Sequence, residues 1–96
     1  MTKNYELMVI LSPKLNEEEA NQLNDSILAI VKDLSGELIK TEPWGRRMLA
    51  YPINKLQEGY YYLNFLKMES LKVKTLKQQL GLNENIIRHM IIARGE

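Results

Sequence analysis

Cysteine is absent from this chain of 96 residues, which rules out a disulfide framework and any thiolate metal site and fits a reducing compartment. Histidine occurs once, at His89, and the only aspartates are Asp25 and Asp33. Neither a Ser-His-Asp arrangement nor a His-rich metal cluster can be assembled from so few parts. Gly36, Gly45, Gly59, Gly81 and Gly95 are scattered, so no phosphate-cradling P-loop or GxGxxG turn can form. No apolar run is long enough to span a membrane, and Leu7 to Leu11 is too short even for the apolar part of a signal peptide. These absences leave binding as the expected activity, with no cofactor, metal or small-molecule substrate, and the cytosol as the expected location.

An excess of charge is also missing. Thirteen basic residues stand against twelve acidic ones, for a formal charge of +1. Bulk attraction to a polyanion is therefore unavailable, and any contact with nucleic acid must be local. The charges are unevenly placed: Glu17, Glu18 and Glu19 cluster early, whereas Arg46-Arg47, Lys72-Val73-Lys74 and Arg88-His89 come later. The three glutamates fit the positive N-terminal end of a helix better than a metal or acid-base site.

What is present is an ordinary globular composition, 45% apolar and 26% charged. Residues 1–96 are expected to form one domain, burying roughly 60 to 65% of the surface of the unfolded chain. Tyr5 to Leu11 reads as a strand ended by Ser12-Pro13. Asn16 with Glu19 forms a capping-box pair, and Ala20, Leu23, Ile27, Ile30, Val31 and Leu34 then make one helical stripe that Gly36 stops. Glu37 to Ile53 alternates as a long or bent strand, Asn54 to Glu58 is a polar connection, and Tyr60 to Leu66 is a second strand of a hairpin. Ser70 is the expected cap of a second helix carrying Val73, Leu76 and Leu80 and ending at Gly81, and Ile86 to Ala93 is the last strand. The order β-α-β-β-α-β is an α+β pattern that closes as a four-stranded antiparallel sheet with both helices on one face.

Two helices cover only one face of such a sheet, so the other should read polar if it met only water. It does not. Leu7, Val9 and Leu11 point one way and Met8 and Ile10 the other; Ile87 and Ile91 oppose Ile86, Met90 and Ile92. Met8, Ile10, Met90 and Ile92, with one alternate set from the third strand, form an apolar patch if the first and last strands pair, and such patches mark partner sites. Which third-strand set joins them stays open, because a slip of one residue exchanges the two.

Two segments could meet RNA. Glu58-Gly59-Tyr60-Tyr61-Tyr62-Leu63-Asn64-Phe65 partly fits the RNP1 pattern, with Tyr60 and Tyr62 as stacking platforms, although Glu58 replaces the basic residue and Tyr61 the small one. Sheet packing explains the segment better than base stacking. Arg46 and Arg47, near Trp44 and Lys55, form a basic cluster at the hairpin that could reach phosphates or line a solvated face. His89, beside Arg88, reads as a strand residue satisfied locally or as a contact to RNA or a partner. A small acyl-phosphate-cleaving enzyme would need a Gly-rich loop with an arginine after the first strand, and Ser12-Pro13-Lys14 is not one.

The stretch Trp44-Gly45-Arg46-Arg47-Met48-Leu49-Ala50-Tyr51-Pro52-Ile53 closely resembles the signature of the bacterial small-subunit ribosomal protein S6 family, a Gly-x-Arg followed by Leu-Ala-Tyr-x-Ile. The likeness runs from Tyr5-Glu6 through Gly59-Tyr60-Tyr61 to Ile87-Arg88-His89-Met90. It departs at Met48, where the family often has a polar residue, and it lacks the longer C-terminal tail of some members, so contacts of such a tail are not expected. The resemblance implies a ferredoxin-like fold and a structural, non-enzymatic role in the cytoplasmic ribosome. It also implies 16S ribosomal RNA of the central domain and small-subunit ribosomal protein S18 as partners. Arg46, Arg47 and Arg88 carry over as RNA or partner contacts, and Lys55 joins them from the basic cluster. Met8, Ile10, Met90 and Ile92 are then the expected protein-partner surface. Leu49, Ala50 and Tyr51 are read as packing that shapes the hairpin.

Overall fold

The computed structural model describes residues 2–53 and 55–94, with side chains at all of these except 50–53. Its elements are β1 (Thr2–Leu11), α1 (Glu17–Asp33), β2 (Glu37–Ile53), β3 (Leu56–Glu69), a 3₁₀ turn at Ser70–Lys72, α2 (Val73–Gly81) and β4 (Ile86–Ala93). All pairings are antiparallel and the strand order is β2-β3-β1-β4, with both helices packed on one face. This is the expected ferredoxin-like α+β architecture. No helix among the described residues is long and apolar enough to cross a membrane.

The helix-covered face is built by alternation. Leu7, Val9 and Leu11 of β1 are fully buried against Ala20, Ile27 and Val31 of α1 and Leu76 and Leu80 of α2. Tyr60, Tyr62, Leu66 and Met68 of β3 complete this core. Each fully buried aliphatic side chain contributes about 1.5–3 kcal/mol. One polar cluster sits inside. The carboxamides of Asn24 and Asn64 bond reciprocally at 3.3 and 3.0 Å, and the Thr41 hydroxyl donates to Asn64 Oδ1 at 2.9 Å. No buried side-chain nitrogen or oxygen among the described residues is left unpaired.

Helix ends divide sharply in quality. At α1 the Glu19 N–H donates to Asn16 Oδ1 at 2.7 Å, and the Asn16 N–H donates to Glu19 Oε1 at 2.9 Å, completing the expected capping box. Its C-terminus corrects the sequence reading. The left-handed residue is Ser35, at φ 65°, whose N–H donates to the Lys32 carbonyl while that of Gly36 donates to Val31, a Schellman closure. Gly36 serves a different purpose: a Cβ there would lie 2.7 Å from Val31 Cγ1 and 3.1 Å from Met68 Cβ. Ser70 is also corrected. It lies within the 3₁₀ turn rather than before the helix, and no side chain caps α2.

The hairpin differs from expectation as well. Ile53 pairs with Leu56, so the connection is shorter than Asn54 to Glu58; of it, Lys55 is left-handed at φ 67° and Asn54 lies outside the described residues. β2 is a single long strand interrupted by register shifts between Leu38 and Lys40, Pro43 and Gly45, and Met48 and Ile53, with Gly45 at φ 78°. Such bulges bend the strand. β1 pairs with β3 only as far as Leu11 opposite Tyr60. The β2-β3 hairpin therefore continues as a two-stranded arm, and the molecule measures 38 Å along its longest axis against 23 and 22 Å.

Candidate interface for RNA and a protein partner

Residues directly opposite in an antiparallel ladder share a face, which fixes the composition of the uncovered one. Glu42, Leu63, Met8 and Met90 form one row across the sheet. Lys40, Phe65, Glu6 and Ile92 form the next, and Gly45, Tyr61, Ile10 and Arg88 the third on the other side. The third-strand set left open by the sequence is thus Tyr61, Leu63 and Phe65. Met8, Ile10, Met90 and Ile92 do come together, but unequally. Met90 and Ile92 are 41% and 52% exposed, Met8 is half-buried, and Ile10 is only 8% exposed, so Ile10 is floor rather than offered surface. Ile10 owes this to a close fit, because a Cβ on Gly59 would lie 2.7 Å from its Cγ2. Met8, Ile10, Tyr61, Arg88 and Met90 line a depression of about 180 Å³.

Charged pairs rim this apolar strip. Arg94 bonds Glu6 at 2.8 Å and Lys40 bonds Glu42 at 2.9 Å. The Arg94 guanidinium and the Lys40 ammonium lie 5.5 and 5.9 Å from the Phe65 ring centre. The Lys40 ammonium, through its hydrogen bond, holds the Glu42 carboxyl below its ordinary value, against the opposing effect of desolvation. Sequence reasoning passed over Arg94, Glu6 and Phe65. Arg94 looked like tail, and nothing local ties it to a residue 88 positions away.

The paired arginines of the arm separate. Arg46 lies opposite the inward-facing Tyr60 and Arg47 opposite Gly59, so they leave opposite faces. Arg46 is engaged: its Nε bonds Glu58 at 2.6 Å and its Nη1 donates to the Tyr60 hydroxyl at 3.0 Å. Those two bonds, Glu58 first, push its pKa further up. Arg47 donates to the Trp44 carbonyl at 3.0 Å and lies 5.4 Å from the Trp44 ring, which stacks on Tyr61 with planes 8° apart. No carboxylate among the described residues pairs with Arg47. Lys55 is exposed at the arm's tip beyond Met48, itself 77% exposed. Leu49 is half-buried on the arm, while the side chains of Ala50 and Tyr51 lie outside those described.

Two alternatives about rings are decided in favour of packing. Tyr60 and Tyr62 are 7% and 4% exposed and belong to the core, the Tyr62 hydroxyl donating to Asn21. They cannot serve as stacking platforms for bases. The physical reason is the buried Asn64: its bonds to Asn24 and Thr41 pin the even-numbered residues of β3 inward. His89 faces Val9 and so lies on the helix side, where burial and then Lys77 push its pKa down. No group of three potential metal ligands exists among the described residues.

Three comparisons bear on this geometry. The family model described as ribosomal protein S6 matches residues 4–93. The small ribosomal subunit protein bS6 of Desulforamulus reducens is 39% identical over 94 residues, covering 98% of this chain and 99% of that one. The bS6 protein of Streptomyces coelicolor is 40% identical over 90 residues, 94% of each. Among solved structures, 30S ribosomal protein S6 from Thermotoga maritima superposes with a TM-score of 0.92 at 28% identity, over 98% of this chain and 89% of that one.

Proposed function

The chain belongs to the ribosomal protein S6 family, a family of small-subunit structural proteins and not of enzymes, and on that premise we propose that it works in the cytoplasmic ribosome as half of a composite RNA-binding unit. In this reading the uncovered sheet face receives ribosomal protein S18, and the pair binds the central domain of 16S ribosomal RNA. The observation that carries it is the strip of Met8, Leu63, Met90 and Ile92 left uncovered on a sheet whose other face carries both helices and the buried core. An apolar surface of that kind, rimmed by ion pairs, has the layout of a protein interface: a dry centre and a polar edge.

Net charge supports a shared grip. A chain at +1 has too little field to hold RNA by itself, so its cations must act at chosen points. Arg47 and Lys55 on the arm are the phosphate contacts of this reading. Arg46 joins them only by exchanging Glu58 and Tyr60 for phosphate, and Arg88, in the row of Ile10 and Tyr61, lies where the partner meets the RNA. The deciding experiment measures affinity for a central-domain 16S fragment with and without S18. Tighter binding by the pair is expected, and equal affinity in both cases refutes the composite unit. Replacing Arg47 and Lys55 by alanine should reduce the slope of log K against log salt by at most about 1.8, at about 0.9 per contact; an unchanged slope removes both from the phosphate contacts.

A further inference from the structure

From the sorting of charge in the helix layer we infer that the outer face of α2 is a second phosphate-contact surface, formed by Lys72, Lys74 and Lys77 and joined by Lys3. All four lysines are exposed. No carboxylate among the described residues pairs with any of them. From Ser70 to Gly81 there is no acidic residue at all. Lys74 and Lys77, three positions apart, stand on one side of α2 while Leu76 and Leu80 are buried on the other. Lys3 is opposite the core residue Met68, on the rungs from which the chain leaves β3 for Lys72.

Helix α1 supplies the contrast. Its acids crowd the first turn, next to a complete capping box, where helix electrostatics favours them. Those same electrostatics oppose the cations at the start of α2, which has neither a capping side chain nor an acid in its first turn. Helix stability accounts for the charges of α1 and argues against those of α2. Something outside the fold accounts for the lysines. Compact, mobile ammonium groups without the rigid fork of arginine suit sequence-independent contacts to phosphate oxygens. Since α2 covers the side of the sheet opposite the uncovered face, a protein seated on that face leaves these lysines accessible. The inference rests on the ribosomal reading above and adds to it a direction of approach: RNA passes the α2 side, and the acidic α1 is turned away.

The test uses the full chain bound to S18 and the central-domain 16S fragment, with affinity measured from 50 to 200 mM salt. Lys72→Gln, Lys74→Gln and Lys77→Gln combined should flatten the log-log slope by up to about 2.7, at about 0.9 per contact, while the thermal midpoint holds or rises. Arginine at the same three positions should restore the slope. An unchanged slope in the glutamine variant overturns the inference, as does failure of arginine to restore it. A loss of S18 affinity with RNA affinity intact overturns it in favour of an acidic protein surface. If the wild-type pair does not bind the fragment, the ribosomal RNA reading falls first and this inference with it.

Discussion

Replacing Met90 by aspartate should separate folding from partner binding. Met90 is 41% exposed and lies opposite Met8 on an edge strand, so in the free chain the change costs about 1–3 kcal/mol, from the three-fifths of the side chain already buried and the span of strand preferences. In the complex two losses add. Complete burial of a methionine is worth about 1.5–3 kcal/mol, of which a partner covering the exposed two-fifths supplies roughly 0.6–1.2. A carboxylate left unpaired in the dry centre of an interface costs about 2–5 kcal/mol more. Affinity for S18 should therefore fall by at least two orders of magnitude, at about 1.4 kcal/mol per decade. Met90→Ala removes only the first contribution and should weaken binding roughly three- to eightfold on the same scale. Ile10→Asp, at a position only 8% exposed, should instead unfold the chain. Titration calorimetry against S18 and urea denaturation read the two effects separately. Binding of a folded Met90→Asp chain within threefold of wild type would refute the assignment of this face.

Asn64→Leu should destabilise the chain by about 2–6 kcal/mol, because it strands the buried Asn24 amide and the Thr41 hydroxyl at about 1–3 kcal/mol per unpaired group; adding Asn24→Leu should recover part of the loss, and urea denaturation of the double-mutant cycle checks the coupling. Ser35→Gly should raise stability by about 0.5–1 kcal/mol by relieving the left-handed backbone at φ 65°. Gly36→Ala, next door, should lower it by about 1–3 kcal/mol through overpacking against Val31 and Met68, and equal effects at the two sites in thermal melts would contradict both. For His89, whose folded pKa lies below its unfolded value of about 6.5, the unfolded chain binds the proton more readily. Stability from this residue is complete above about pH 6.5 and is lost as pH falls through the folded pKa. His89→Gln should flatten that part of the stability profile, and an unaltered profile would show that His89 is not its source.

Whether a segment was legible depended on how far away its decisive partner lies. The start and the core-facing stripe of α1 could be read from its capping box and apolar spacing, since the partners of Asn16 lie within three residues. The faces of β1, and of β4 from Arg88 onward, followed from alternation, but the register shift at Ile10 and Leu11 sets Ile86 opposite the buried Leu11 and against the core, so the faces read for Ile86 and Ile87 are exchanged. β3 resisted because Tyr60, Tyr61 and Tyr62 satisfy strand preference on either face, and the residue that decides the matter, Asn64, looks like an outward-facing polar residue until Asn24 appears opposite it, 40 positions away. The RNP1-like reading failed for that reason: it assigned outward the two rings that the Asn24-Asn64 pair turns inward. Arg46 and Arg47 were legible as a cluster, but the separation of their faces and the capture of Arg46 by Glu58 depend on the register of the arm. Ser70 carried a cap signal that lost to the 3₁₀ turn by which the chain leaves β3.

In the proposed composite unit, near-neutrality and RNA binding are reconciled by where the charges stand. α1 holds five acids and one lysine, the stretch from Ser70 to Gly81 holds three lysines and no acid, and the arm carries Arg46, Arg47 and Lys55 against Glu58. A chain so divided has almost no net field at a distance but strong local ones. It therefore gains little rate by long-range steering and little affinity for arbitrary polyanions, and it binds well only where phosphates are already arranged to meet the arm and the α2 face together. Such a protein depends on prior docking. On the proposed reading the apolar strip would supply that dependence, because a partner seated on it would fix the orientation in which the basic surfaces approach the RNA. Selectivity in this design comes from geometry, and the low net charge is what prevents the cations from binding elsewhere first.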